Sequence, residues 1–130
     1  MPSSTLTSHF WVGRASQEQV DSYFAEAPGG EDQGDHAPIS AFARDQGANW
    51  YDHDFLEYGW DGEASTTGQL VDGCSYSDQW ADELAHRVAA QGIAGANFFV
   101  FIRQDQIEQP RSVQGEGMWL KYLGTITHRI

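Results

Sequence analysis

The sequence predicts an α+β fold, a small single domain in which a mainly antiparallel sheet from the N-terminal strand and the C-terminal hairpin packs against two to four helices. Strand-like runs stand at both ends of the chain, and helical patterns occupy much of the first two thirds. The 130 residues, of which 40% are hydrophobic, are enough to bury one core. We therefore expect residues 1–130 to form one domain.

The N-terminal region is predicted to form a strand and then a helix. Residues 5–13 (TLTSHFWVG) are rich in β-branched and aromatic side chains, and Gly13 ends the run. Ser16 suits the N-cap of the next helix, with Gln19 as its capping-box partner three residues later. Three large apolar residues would share the buried face of this helix, namely Val20, Tyr23 and Phe24.

A loop and a short second helix are expected next. Residues 27–37 are polar, acidic and rich in glycine, without a helical or strand period. The second helix is predicted to start at Pro38, to bury Phe42 and to end at Gly47. Proline suits the first turn of a helix, and glycine suits the residue that follows the last turn.

The strongest helical pattern runs from Ser77 to Gly92. Ser77 is predicted to be its N-cap, and Gly92 its terminating glycine. Trp80, Leu84 and Val88 recur every four residues and form an apolar stripe. We expect this stripe to pack on the sheet.

Two C-terminal strands complete the predicted sheet. Residues 96–104 (ANFFVFIRQ) contain five consecutive large apolar residues, as in a central strand that is covered on both faces. Residues 118–130 alternate instead. This alternation predicts a single buried face that carries Leu120, Tyr122 and Ile126.

Charge is unevenly distributed along the chain. Seven basic residues against nineteen acidic residues give a formal net charge of −12. No Lys or Arg occurs between Arg44 and Arg87, a span of 42 residues that holds ten acids. Such a field repels nucleic acids and anionic membranes and attracts cationic proteins, although the same acidity can also serve solubility alone.

The absence of apolar segments and the single cysteine bear on the location and the cofactors of the protein. It has no apolar run long enough to span a membrane and no basic-then-apolar signal at its start. Its one cysteine, Cys74, excludes an internal disulfide and leaves no partner for a thiolate zinc cage. The sequence therefore predicts a cytoplasmic protein that requires no cofactor.

Residues 50–60 (WYDHDFLEYGW) crowd aromatic and acidic residues around His53. We expect residues 49–51 to be extended and the rest of this segment to form a loop. A metal site needs three or four converging ligands, but Asp52, His53 and Asp54 would point to alternate faces of an extended chain. A metal-dependent hydrolase centred on His53 is therefore the weaker alternative.

Other functional classes remain open at this point. A nucleophile pair of Cys74 with His53 or His86 would make the chain a Cys/His hydrolase, but neighbouring acids raise the pKa of a thiol. A regulatory adaptor domain would have the same composition as a binding protein, and only its partner would distinguish it.

A protein-binding surface requires only the features already visible. Aromatic side chains anchor interfaces, and carboxylates around them accelerate the encounter with a basic partner. The alternative is that Trp50, Phe55 and Leu56 fill the core. The candidate binding residues are Tyr51, Asp52, Asp54, Glu57, Tyr58 and Asp61.

Three segments in order resemble the immunity protein 22 family of bacterial polymorphic toxin systems: HFWVGRASQEQVDSYF, ISAFARDQGANWYDHDFLE and SYSDQWADEL. The resemblance covers nearly the whole chain, and FWVG and WYDHDF are its most specific parts. The matching motif residues are Phe10, Trp11, Val12, Gly13, Trp50, Tyr51, Asp52, His53, Asp54 and Phe55.

The resemblance implies a small cytosolic α+β protein, usually encoded beside a secreted toxin, that binds the toxin domain and blocks it without catalysis. Such a toxin is often a nuclease, whose cleft is basic because it holds a phosphate backbone. The chain departs from the family mainly in the acidic loop from Ala27 to Ala37, which is either a specificity insertion or a spacer. We expect a cationic protein toxin as the partner, and neither a nucleic acid nor a membrane.

Overall fold

Five antiparallel strands form one sheet in the computed structural model, which describes residues 4–26, 38–48 and 50–129. The strands are β1 (Thr5–Arg14), β2 (Leu56–Trp60), β3 (Phe98–Arg103), β4 (Val113–Gly115) and β5 (Met118–Arg129). Their order in the sheet is β2-β3-β1-β5-β4. The predicted α+β fold is confirmed, and β1 pairs with both β3 and β5. The C-terminal hairpin joins β5 to β4, a strand that sequence reasoning did not predict.

Four helices within the described ranges cover both faces of this sheet. They are α1 (Gln17–Phe24), α2 (Ala41–Asp45), α3 (Thr67–Leu70) and α4 (Ser77–Ala90). The first two pack on one face, here called face A, and the last two pack on the opposite face B. Within these ranges, no helix combines the length and the apolar character that crossing a membrane requires.

The central strand β1 sends side chains into both cores. Phe10 points to face B, where its ring lies 5.0 Å from that of Phe101 and 4.9 Å from that of Trp80. Trp11 points to face A and meets Phe42 of α2 edge-on at 5.2 Å. Its neighbour β3 is also buried on both faces, as its unbroken apolar run predicted.

The first helix has the predicted start. The Ser16 hydroxyl accepts a hydrogen bond from the backbone N–H of Gln19 (3.1 Å), and the Ser16 N–H donates to the Gln19 side chain (2.8 Å). This reciprocal pair satisfies two donors that the first turn of a helix leaves free. The predicted buried side chains Val20, Tyr23 and Phe24 are confirmed.

Two other helix starts differ from the prediction. Ser40 caps α2, which begins at Ala41 rather than at Pro38, because the Ser40 hydroxyl accepts the Ala43 N–H (3.1 Å). Ser77 is the first residue of α4, and the N-cap position is Tyr76 in a left-handed conformation. The predicted apolar stripe of α4 is confirmed as part of the face B core.

Strand β5 does not have a single buried face, so that prediction is wrong. His9 pairs with Thr125 but Trp11 pairs with Tyr122, so β5 uses one residue more than β1 over this stretch. Such a bulge inverts the alternation of side chains. As a result Leu120 lies in the face A core with Tyr122 against it, whereas Ile126 lies in the face B core.

The bulge contains Gly124, whose φ of +93° suits glycine, and α4 supplies a donor to it. The Arg87 guanidinium donates to the carbonyl oxygens of Leu123 (3.0 Å) and Thr125 (2.7 Å). The helix therefore contributes both its apolar stripe and a polar link to β5.

We expect Leu84→Ala to lower the free energy of unfolding by about 2–5 kcal/mol, because Leu84 is fully buried against the sheet and its truncation leaves a cavity. His86→Ala, at an exposed position of the same helix, should change it by less than about 0.5 kcal/mol. Urea unfolding followed by tryptophan fluorescence measures both. Equal losses in the two variants would contradict this packing.

Candidate functional site: the acidic edge of the sheet

Residues 50–61, here called the acidic edge segment, run into the outermost strand of the sheet. Residues 53–55 form one 3-10 turn, and β2 follows directly as an edge strand paired only with β3 among the described residues. The prediction of a loop is therefore wrong for residues 56–60. A strand this short, with a glycine at its fourth position, gives little alternation for sequence reasoning to detect.

Asp52 organises the entry into this strand. Its carboxylate accepts the Asp54 N–H (3.0 Å), and its own N–H donates to the side chain of Gln106 (2.8 Å). A carboxylate at the start of a turn is a usual way to satisfy backbone donors there. Asp52 is half-buried, and its two hydrogen bonds give it a structural role.

Tyr51 is not a surface residue, so its predicted role as an exposed anchor is wrong. Its side chain has no exposed area and lies in the face A core, 6.2 Å from the Phe42 ring. Its hydroxyl hydrogen-bonds with that of Ser40 (3.1 Å), and burial raises its pKa. Tyr51 therefore lies in the core because its side chain contacts α2 and the residue that caps it.

Trp50 and Phe55 are exposed instead, so the alternative in which they fill the core is wrong for these two residues, whereas Leu56 is partly buried against the face A core. Trp50 is 64% exposed and Phe55 is 40% exposed. The guanidinium of Arg103 lies over the Phe55 ring, 4.5 Å from its centroid. Exposed aromatic rings of this size are typical of contact surfaces.

Strand β2 divides the remaining candidate residues between the two faces. Tyr58 points to face A, where its ring stacks on Phe24 at 4.3 Å. Glu57 points to face B and accepts the Ser75 N–H (3.2 Å). Asp54 and Asp61 are exposed just before and just after the strand. The predicted residues thus surround one edge of the sheet rather than forming one flat patch.

His53 lies in solvent beside two carboxylates. Its Nδ1 is 3.5 Å from Glu26 and its Nε2 is 3.2 Å from Asp54, and two thirds of its side chain is exposed. Within residues 4–26, 38–48 and 50–129, no group of three or more His, Cys, Asp or Glu side chains could hold a metal ion. His36 and the loop from Ala27 to Ala37 lie outside the described residues.

Cys74 has a protonated thiol in this setting. Burial, followed by the charge and hydrogen bond of Glu57, raises its pKa from 9.0 to about 12. A cysteine nucleophile needs a lowered pKa, because the thiolate is the reactive form. The environment of Cys74 is therefore the opposite of what a Cys/His hydrolase requires.

We expect iodoacetamide to alkylate Cys74 slowly in the folded protein between pH 7 and 9, because the thiolate is scarce there. Glu57→Gln should lower the pKa of Cys74 and accelerate the reaction, whereas Asp72→Asn should act less, since Asp72 contributes least to the shift. Mass spectrometry against pH gives the rates.

The same shift fixes a sign for stability. A raised folded-state pKa stabilises the fold fully below pH 9.0, and this contribution is lost as the pH rises toward about 12.

Alkylation of Cys74 in the folded protein at pH 7.5 as fast as in the urea-unfolded chain would contradict the environment assigned to this thiol.

The first motif, Phe10 to Gly13, is explained by packing alone. Phe10, Trp11 and Val12 are fully buried. A Cβ on Gly13 would collide with the carbonyl oxygen of Trp119 and lie 2.5 Å from the Phe98 ring. Only glycine allows β1, β3 and β5 to approach this closely.

The family model described as Immunity protein 22 matches residues 9–128. The chain therefore belongs to this family, as the resemblance predicted, and membership supports a toxin-neutralising role in general terms. No curated protein and no solved structure matches the chain.

Tyr76 is a surface residue that sequence reasoning did not single out. It is half exposed, lies beside the acidic edge segment and has the one positive φ, +57°, among described residues other than glycine. The predicted cap is Ser77, the residue that follows it. A left-handed tyrosine has no sequence signature, because that conformation usually marks glycine or asparagine.

Proposed function

We propose that this chain binds and neutralises a cognate bacterial toxin domain through the acidic edge segment. The observation that carries the proposal is that an aromatic and acidic segment forms the outer strand of the sheet, with Asp54, Tyr58 and Asp61 exposed around it. Membership of the immunity family gives the class of partner. The exposed residues of the edge segment support the choice of surface.

Charge supports a cationic toxin, such as a nuclease. The net charge is −12, and the 42-residue span without Lys or Arg supplies β2, α3 and most of α4. Four acids of this span, Asp52, Asp54, Glu57 and Asp61, lie in the acidic edge segment. A toxin cleft that binds a phosphate backbone is positive, so these carboxylates would raise its rate of encounter.

The residues of the segment have different roles in this proposal. Asp54 and Asp61 are steering charges, because both are exposed at the ends of β2. Glu57 adds charge but also holds Ser75 in place. Tyr58 is the anchor, since stacking on Phe24 fixes its ring while more than a third of it remains exposed.

In this proposal the chain acts in the cytoplasm as one domain over residues 1–130, by binding rather than by catalysis. The protonated thiol of Cys74 and the solvent-exposed position of His53 support a role without chemistry. No nucleic acid or membrane is proposed as a partner, because the acidic edge segment would repel both.

We expect Asp54→Asn combined with Asp61→Asn to slow association with the toxin domain about three- to tenfold at low salt and to flatten its salt dependence. Dissociation should change less than about twofold, because charges at an interface rim act mainly on encounter. Asparagine keeps the oxygen that accepts the Glu63 N–H at position 61 (2.9 Å), so the local turn is preserved. Surface-binding kinetics at two salt concentrations measure both rates.

The matched control is Asp72→Asn combined with Asp82→Asn, which removes the same charge from exposed positions outside the segment. Equal slowing in both variants would assign the effect to net charge alone. Unchanged association in the Asp54 and Asp61 variant, with full rescue of toxin-expressing cells, would place the interface elsewhere.

Tyr58→Ala should raise the dissociation rate at least about tenfold and leave association nearly unchanged, as truncation of a buried anchor does. Tyr58→Phe keeps the stack on Phe24 and should dissociate within about threefold of the unmodified chain. Urea unfolding of both variants checks that the fold is retained. If Tyr58→Ala dissociated at the rate of the unmodified chain, Tyr58 would not be part of the interface.

A further inference from the structure

Tyr76 occupies a backbone position that favours other residues on two counts. Its φ of +57° and ψ of +24° lie in the left-handed region, which Gly and Asn tolerate far better than tyrosine. It is also the N-cap of α4, where Ser, Asp, Asn or Gly is preferred, and its side chain makes no capping hydrogen bond. Residues held in such a sparsely populated backbone conformation cluster at functional sites.

Tyr76 and Phe55 line one cleft at face B, together with the sheet residues Ser8, Phe101 and His128. The Tyr76 ring is 5.8 Å from the His128 imidazole. The cleft measures about 140 Å³, which is below the range of small-molecule sites and suits a single side chain.

The charges around the cleft select a cation. Asp54 and Glu57 line it, and Arg103 is the one Lys or Arg among its described lining residues. The two lining carboxylates outnumber Arg103, which also pairs with Asp105 (3.1 Å). Arg103 also stacks over Phe55, which shows that this ring accepts a planar guanidinium.

We propose that the cleft between Phe55 and Tyr76 receives one arginine side chain of the toxin domain. This inference rests on the proposed function and adds the chemistry of one contact. Phe55 and Tyr76 stack on the guanidinium, the Glu57 carboxylate hydrogen-bonds to it and Asp54 adds attraction at the exposed rim, a combination that an ammonium group uses less well.

The test replaces Tyr76 with residues that suit its backbone. Tyr76→Gly and Tyr76→Asn should both raise the urea midpoint, because they relieve the left-handed strain, and both should raise the rate of dissociation from the toxin domain at least about tenfold. Agreement between the two separates loss of the ring from added flexibility. Tyr76→Phe, which keeps the aromatic ring, should dissociate within about twofold of the unmodified chain.

A second measurement does not require the toxin. N-acetyl-arginine amide should shift the NMR signals of Phe55 and Tyr76 in a saturable manner. N-acetyl-citrulline amide, which has nearly the same shape without the charge, should not. Equal shifts with N-acetyl-lysine amide would overturn the choice of arginine, and no shift beyond that of the citrulline probe would overturn the cleft.

The two proposals fail in different ways. If the unmodified chain neither binds the toxin domain nor rescues growth, the proposed function is wrong. The arginine probe then still tests whether the cleft binds a guanidinium group. If the complex forms but both Tyr76→Gly and Tyr76→Asn dissociate at the unmodified rate, only the cleft proposal is wrong.

Discussion

The pairing of β1 on both of its edges is the constraint on which the rest of the structure depends. Hydrogen bonds join it to β3 on one side and to β5 on the other, and its alternate side chains enter different cores. Phe10 supports α4 on face B, and Trp11 supports α2 on face A. Gly13 permits the close approach of strands at one end. The residues of the first family motif therefore hold two helical layers on one strand.

This arrangement also determines where the second motif is placed. Because β3 pairs with β1, its other edge is left for β2, and the acidic edge segment becomes the border of the sheet. The motif then divides by position. Tyr51 and Asp52 build the fold, whereas Trp50, His53, Asp54 and Phe55 are exposed. One continuous stretch of sequence thus contains both structural and surface residues, and only their burial distinguishes them.

Sequence reasoning succeeded where the signal is local. The Ser16 capping box and the stripe of α4 depend on residues three or four positions apart, so spacing predicts them. It failed where a distant partner decides. In β5, the alternation of side chains between the two faces reverses at a bulge that is defined by the register with β1. Tyr51 is buried because α2 lies against it. Neither fact can be read from neighbouring residues.

The charge of the edge strand has a consequence for self-association. An exposed strand edge is a template for pairing with another copy of the same chain, and charged side chains are a common way to prevent this. Asp54 and Asp61 lie at the two ends of β2, so two copies approaching edge to edge would bring carboxylates together and repel. A cationic partner meets no such barrier. The carboxylates that are proposed to attract a toxin would therefore also oppose the pairing of two copies at this edge, and this selectivity requires no movement of the sheet.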